Sequence, residues 1–199
     1  AWLSVPFRRL TVAEAMKQYA NVDLDAVLDD KAALTLLVKE RGMPVGEQDT
    51  WDDLFFRIFL VEVEPYLGWS GKGSDRVLQP TFLYDYPASM AALARKNTKD
   101  PRYALRTELY FGDLELANGF AELSDAVEQR ARFEEEQSLR TSLGKEIWPI
   151  DEQFINCLPK MGDAAGIAFG VDRLVMALTD AKSISEIMPI PIRQRFGNP

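Results

Sequence analysis

Residues 108–122 decide the fold of this chain, and they read Glu108-Leu-Tyr-Phe-Gly-Asp-Leu-Glu-Leu-Ala-Asn-Gly-Phe-Ala-Glu122. The pattern predicts two strands on either side of a tight turn at Phe111-Gly112-Asp113. A turn centred between Phe111 and Gly112 would place Glu108 and Glu115 directly opposite each other. Two opposed carboxylates repel unless a cation lies between them, and such oxygen ligands suit Mg²⁺. The alternative is a turn one residue later, with a staggered pair on a hydrated surface.

Farther along the second strand, Asn118, Phe120 and Glu122 fall on one face by the two-residue period of a strand. An amide, an aromatic ring and a carboxylate suit a pocket for an amino-bearing substrate. Glu115 and Glu122 are an odd number of residues apart, so a regular strand would point them to opposite faces. Lining one site together would require a bulge, which the glycine in residues 117–119 permits. A half-exposed strand with ordinary polar residues is the alternative.

A third element reads Gly166-Ile-Ala168-Phe-Gly170-Val-Asp-Arg173-Leu. Alternating glycines allow close approach to a strand backbone, and the strand leads into a helix with an arginine in its first turn. A guanidinium at a helix N-terminus is a natural partner for a phosphate. Close packing of the strand against the helix would explain the same glycines.

The rest of the chain predicts helices around this sheet. The first 67 residues are predicted to be a helical segment, with a capping box at Thr11 and Glu14, a helix over residues 31–40 and a further helix capped by Thr50. Residues 68–79 are predicted to be a flexible surface connection. The chain is therefore expected to be an α+β fold, an antiparallel β-sheet flanked by helices, divided into residues 1–67 and 68–199.

Composition excludes several kinds of chemistry. The 199 residues carry a net charge of −8, one cysteine and no histidine. A Ser–His–Asp triad, an intramolecular disulfide and the usual histidine zinc sites are therefore excluded. Cys157 is expected to be a buried structural thiol. No apolar run is long enough to span a membrane, and a cytoplasmic location is expected.

Taken together and in order, these stretches resemble the lysine branch of the class II aminoacyl-tRNA synthetases. Residues 166–174 are similar to motif 3 of that class, and residues 115–123 to the strand that holds ATP and lysine. The resemblance implies ATP and Mg²⁺ as cofactors, with Glu115 and Arg173 as catalytic residues. It assigns Glu108 and Glu115 to Mg²⁺, Glu108, Glu115, Leu116, Gly170 and Arg173 to ATP, and Asn118, Phe120, Glu122 and Ala168 to the lysine substrate.

Within the branch, two features resemble the enzymes that lysylate elongation factor P. Position 168 is alanine, where lysyl-tRNA synthetases have glycine, and the extra methyl group is expected to favour (R)-β-lysine over lysine. Residues 86–93 also resemble a Tyr-Pro-Ala-Ser segment of those modifying enzymes. The resemblance thus implies elongation factor P as acceptor. A lysyl-tRNA synthetase fragment with tRNA as acceptor, or a non-catalytic synthetase-like binding module, are the alternatives.

Motifs 1 and 2 of the class are not visible in this sequence. In the family they precede the segment where this chain begins, so we expect an incomplete catalytic core that belongs to a longer polypeptide. The 199-residue chain is expected to be inactive alone and to expose apolar surface where the missing half would pack. The longer protein is expected to be a homodimer through its motif 1 region.

Overall fold

The computed structural model describes residues 6–71, 73–91 and 93–190. Within these ranges, seven helices and seven strands confirm the α+β class. The helices are α1 (Val12–Ala20), α2 (Lys31–Glu40), α3 (Trp51–Ile58), α4 (Ala126–Ser142), α5 (Glu152–Met161), α6 (Val171–Thr179) and α7 (Ile184–Ile187). The strands are β1 (Arg8–Thr11), β2 (Trp69–Ser70), β3 (Val77–Leu78), β4 (Thr81–Pro87), β5 (Tyr103–Phe111), β6 (Leu114–Ala121) and β7 (Ala165–Phe169).

The main sheet has five strands in the order β1-β4-β5-β6-β7. Strand β1 pairs with β4 in parallel, with Arg8 opposite Thr81 and Thr11 opposite Tyr84. The sheet is therefore mixed, whereas an antiparallel sheet was expected. The sequence missed β1 because its four residues form a strand only through pairing with a segment more than 70 residues away.

Local signals placed the N-terminal helices correctly. Thr11 and Glu14 form the capping box of α1, and Thr50 forms a second box with Asp53 at the start of α3. Each box satisfies backbone N–H groups that the helix cannot use internally. A π-helical turn, Phe59–Val63, follows α3 and leads into a 3₁₀ turn, Glu64–Tyr66.

The segment predicted to be a flexible connection has regular structure. Strands β2 and β3 pair antiparallel, with Trp69 opposite Leu78 and Ser70 opposite Val77. Arg76 stacks over the indole of Trp69, with its guanidinium carbon 4.5 Å from the ring centroid. A cation over an aromatic face stabilises such a short ribbon.

The chain divides into two compact units. Unit 1 comprises residues 1–84, 107–118 and 167–199, within the described ranges. Its core includes fully buried residues of α1, α2 and α3, among them Met16, Leu34 and Phe55. The predicted boundary between residues 67 and 68 stays a prediction.

Unit 2 comprises residues 85–106 and 119–166. Helix α4 begins at the N-cap Asp125, as the sequence indicated, and packs against α5. Cys157 lies on α5 and is exposed, so the expectation of a buried thiol was wrong. Helix α5 instead buries Ile155 and Leu158, and Cys157 falls between them on the outer face. No helix in the described part of the chain is long and apolar enough to cross a membrane.

Candidate functional site

Glu108 is a buried carboxylate at the centre of the unit 1 site. It lies on β5, is 6% exposed, and accepts a hydrogen bond at each oxygen. Tyr110 Oη donates to Oε2 at 2.7 Å, and Asn118 Nδ2 donates to Oε1 at 2.9 Å. These two bonds fix the orientation of the carboxylate, whose oxygens can each accept more than one contact. The structure therefore brings two of the predicted residues, Glu108 and Asn118, into direct contact.

The turn between β5 and β6 consists of Gly112 and Asp113, with Gly112 at φ +60°. It lies within the predicted turn Phe111-Gly112-Asp113, where the glycine supplies the left-handed conformation. The direct opposition of Glu108 and Glu115 stays a prediction. The alternative expectation of a hydrated surface fails for Glu108, which is buried.

Three carboxylates share the neighbourhood of the Tyr110 hydroxyl. Burial raises the pKa of Tyr110, and the negative charges of Glu108, Glu64 and Glu115 raise it further. Burial and the charge of Glu108 also raise the pKa of Glu64. The site is thus a region of negative potential that stabilises a bound cation.

A second hairpin holds the turn of the first. Gly68 forms an antiparallel bridge with Gly112, and a Cβ atom at position 68 would lie 2.0 Å from the Gly112 carbonyl oxygen. Trp69 Nε1 donates to Asp113 Oδ1 at 2.8 Å, and Arg76 lies 3.5 Å from the same oxygen. The β2–β3 ribbon therefore positions the turn from which Glu108 and Glu115 extend.

Arg173 joins α6 to β6. Its Nη1 donates to the Glu115 carbonyl oxygen at 2.6 Å and lies 4.0 Å from Glu115 Oε2. The N-cap of α6 is Gly170, whose N–H donates to the Leu116 carbonyl at 2.8 Å. The N-terminus of α6 and a half-exposed guanidinium thus lie beside Glu115, an arrangement that suits an anion neutralised in part by a metal.

Ala168 lies on β7 and is exposed. Its expected influence on the amino end of a substrate stays a prediction.

The two remaining predicted residues, Phe120 and Glu122, belong to unit 2. Phe120 packs against a buried cluster of Ala91, Ala94 and Ala104. The Glu122 N–H donates to the Ala164 carbonyl at 2.9 Å. A Cβ atom at Gly166 would lie 2.7 Å from Glu122 Oε1, so this glycine leaves the space that the carboxylate occupies.

The donor set fits Mg²⁺ held jointly by protein and phosphate. In the described ranges, no group of three or more Asp, Glu, Cys or His side chains forms a complete metal site. Mg²⁺ usually takes one or two carboxylates, with water and substrate phosphates completing its octahedron. Glu108 and Glu115 on adjoining strands are ligands of that kind.

Sequence reasoning missed four contributors to the site. Tyr110 carried a signal, since it lies two residues from Glu108 and must share its strand face. Gly166 was noted only as part of a glycine pattern. The ribbon residues and Glu64 come from segments that end 25 or more residues before the hairpin begins. Their contribution depends on tertiary contacts that no local pattern encodes.

The chain is thus an α+β domain in which a mixed sheet, flanked by helices, carries carboxylates on the β5–β6 hairpin and faces an arginine in the first turn of α6. The chain belongs to the family of class II tRNA synthetases (D, K and N), whose sequence profile matches residues 2–194.

Relatives of two kinds match to a similar degree. A lysine–tRNA ligase of Moorella thermoacetica is 37% identical over 195 residues, which are 95% of this chain and 37% of that protein. An elongation factor P–(R)-β-lysine ligase of Hamiltonella defensa is 38% identical over 189 residues, covering 93% of this chain and 55% of the relative. The corresponding ligase of Proteus mirabilis is 36% identical over 186 residues, covering 92% and 54%. The chain therefore spans about a third to a half of the length of these relatives.

Proposed function

We propose that the full-length protein uses ATP to activate a lysine-type amino acid as its adenylate and then transfers the acyl group to a lysine of elongation factor P. The observation that carries this proposal is the placement of Arg173 and the α6 N-terminus beside Glu115, on the hairpin that also holds Glu108. Membership in the class II family supports it.

In the activation step, a carboxylate oxygen of the amino acid attacks the α-phosphorus of ATP, and pyrophosphate leaves. Arg173 binds the terminal phosphate, and Leu116 and Gly170 lie beside the nucleotide. Glu108 and Glu115 would hold Mg²⁺, which would neutralise phosphate charge when bound. No side chain acts as acid or base, so these residues work by positioning and charge stabilisation. Tyr110 and Asn118 fix the Glu108 carboxylate in orientation.

For the amino acid, we propose Asn118, Phe120, Glu122 and Ala168. Glu122 offers a carboxylate to a substrate ammonium, and Gly166 leaves that carboxylate its space. The relatives named for lysine and (R)-β-lysine support a substrate of this chemistry. We further propose that the full-length protein works in the cytoplasm as a homodimer.

The test is pyrophosphate exchange by the full-length protein and its Glu115→Ala and Arg173→Ala variants. Each variant is expected to lose about a hundredfold or more in rate, because each removes charge stabilisation in the transition state. Glu135→Ala, at an exposed position on α4, is the control and should exchange like the wild type. Wild-type rates in both site variants would contradict the assignment.

The acceptor and the isomer of lysine need a separate experiment, since tRNA ligases and elongation factor P ligases match this chain equally well. Ala168→Gly is expected to shift adenylation from (R)-β-lysine towards lysine by about tenfold, because one methyl group in a pocket discriminates by that order. Exchange rates measured with both amino acids give the ratio. A ratio that the substitution leaves unchanged would defeat the argument from Ala168.

A non-catalytic binding module is a third candidate for the 199-residue chain itself. The chain covers only about a third to a half of the length of these relatives, and this partial coverage favours the binding-module candidate. We propose that this chain alone does not catalyse exchange, which the same assay tests.

A further inference from the structure

Unit 2 contains a cavity that the proposed activation chemistry does not use. Its volume is about 460 Å³, and it lies between α4, α5 and the segment that joins them. The walls are mostly apolar and include three aromatic rings. The lining residues are Leu93, Phe133, Glu136, Gln137, Arg140, Trp148, Pro149, Ile150, Asp151 and Phe154. A cavity of this size accommodates one or two bulky side chains.

Hydrogen bonds hold the joining segment against α4, so the cavity is preformed. Gln137 Nε2 donates to the Trp148 carbonyl at 2.6 Å, and Arg140 Nε donates to the Glu146 carbonyl at 2.7 Å. The Arg140 guanidinium also covers the Trp148 ring, 4.1 Å from its centroid. Trp148 is nevertheless 60% exposed. A rigidly held, exposed tryptophan beside an apolar cavity is typical of a binding hot spot.

The charges around the cavity select the kind of partner. Glu136 and Asp151 are the acidic residues that line it. The lining arginine, Arg140, is already bound to a carbonyl and an aromatic ring. An acidic rim repels the phosphates of RNA and attracts lysine or arginine. The surface is therefore complementary to an apolar side chain flanked by basic residues.

We propose that this cavity docks the protein acceptor of the reaction, through a bulky apolar side chain next to a lysine or arginine. The identity of the acceptor rests on the proposed function. The shape and charge of the cavity are independent of the adenylation site.

The experiment measures binding of purified elongation factor P to the 199-residue chain by calorimetry. Trp148→Ala is expected to weaken the affinity by about tenfold or more, because it removes an aromatic anchor. Glu136→Lys should weaken the affinity as well. Because Glu136 is exposed, this substitution should leave the buried core intact. Two changes on α4 outside the lining serve as matched controls. They are Val127→Ala, at an 80% exposed apolar position, and Glu134→Lys, at an exposed acidic position.

The outcomes separate the docking inference from the proposed function. Loss of affinity in both cavity variants, with controls within about twofold of the wild type, supports the docking site. Equal affinity in all variants overturns the docking site but leaves elongation factor P as acceptor. If elongation factor P does not bind, both the docking site and elongation factor P as acceptor are overturned. The same holds if tRNA binds and Trp148→Ala weakens that binding. Pyrophosphate exchange, measured separately, decides the activation chemistry in every case.

Discussion

The β5–β6 hairpin and the β7–α6 segment both carry residues of the candidate site, but they differ in how they are held. The hairpin is internal to the sheet, and its Glu108 and Leu116 are buried. Strand β7 is last in the sheet order, and Ile167 is 63% exposed. On α6, Met176 is the buried residue, whereas Val175 and Leu178 are exposed.

This difference indicates two kinds of preorganisation within one site. The Glu108 carboxylate is held by Tyr110 and Asn118, and the hairpin turn by the β2–β3 ribbon. The start of α6 is held to β6 by the bonds from Gly170 and Arg173. An edge strand with exposed apolar side chains is a template for further pairing.

The largest expected effect comes from breaking the support of the hairpin. Gly68→Ala should lower the free energy of unfolding by about 3 kcal/mol, because the added Cβ would overlap the Gly112 backbone. Urea denaturation measures the change. Gly73→Ala is the matched control, with a positive φ but open space around its Cβ, and should cost about 1 kcal/mol. Equal losses in the two variants would show that the bridge to Gly112 is unimportant.

A smaller effect is expected from the charge crowding around Glu108. The pKa of Glu64 is raised by burial and by Glu108, so its ionised form opposes folding. Stability is therefore lost as the pH rises from the ordinary glutamate pKa through the raised one. Glu64→Gln should increase the free energy of unfolding by no more than about 0.5 kcal/mol at about pH 7, since solvent screens the partly exposed carboxyl, and the gain should vanish at about pH 4. Denaturation at both pH values tests this.

The control for that measurement is Glu40→Gln, at an exposed position on α2. It should change stability little at either pH. A pH-independent gain in the Glu64 variant would assign the effect to packing instead of charge.

The smallest effect on stability is expected on β7. Ile167→Lys should change the free energy of unfolding by no more than about 0.5 kcal/mol, because the side chain is exposed. It should, however, reduce binding of a hydrophobic dye and self-association of the chain, since it places a charge on an apolar edge. Val77→Lys, at an equally exposed position on β3, is the control. Similar dye binding by both variants would remove the distinction between β7 and the rest of the surface.

The fold could be predicted from the sequence where short-range chemistry determines structure. Thr11 with Glu14, and Thr50 alone, marked helix starts, because capping involves residues close in sequence. Asp125 did the same for α4. Strand β1 and the β2–β3 ribbon were missed, because neither has a strand-like pattern of its own and each depends on a distant partner.

The candidate site shows the same limit. The motif residues Glu108, Glu115, Asn118 and Arg173 were identifiable, and the structure places them on neighbouring elements of unit 1. The sequence did not decide between the two hairpin registers that it allowed, since one residue in the turn determines which side chains face each other. Nor could the sequence indicate that Gly68 contacts Gly112, because that contact joins residues far apart in the chain.

The π-helical turn Phe59–Val63 makes the spacing of residues before Glu64 matter more than their identity. A π turn accommodates one residue more than an α-helical turn, and such turns are frequent near functional sites. Inserting a further residue there would rotate everything that follows by about 100° around the helix axis. Glu64 would then turn away from Glu108 and Tyr110. In evolutionary terms, this stretch should accept substitutions of similar size while its length stays constant, so insertions and deletions among homologues are expected to avoid it.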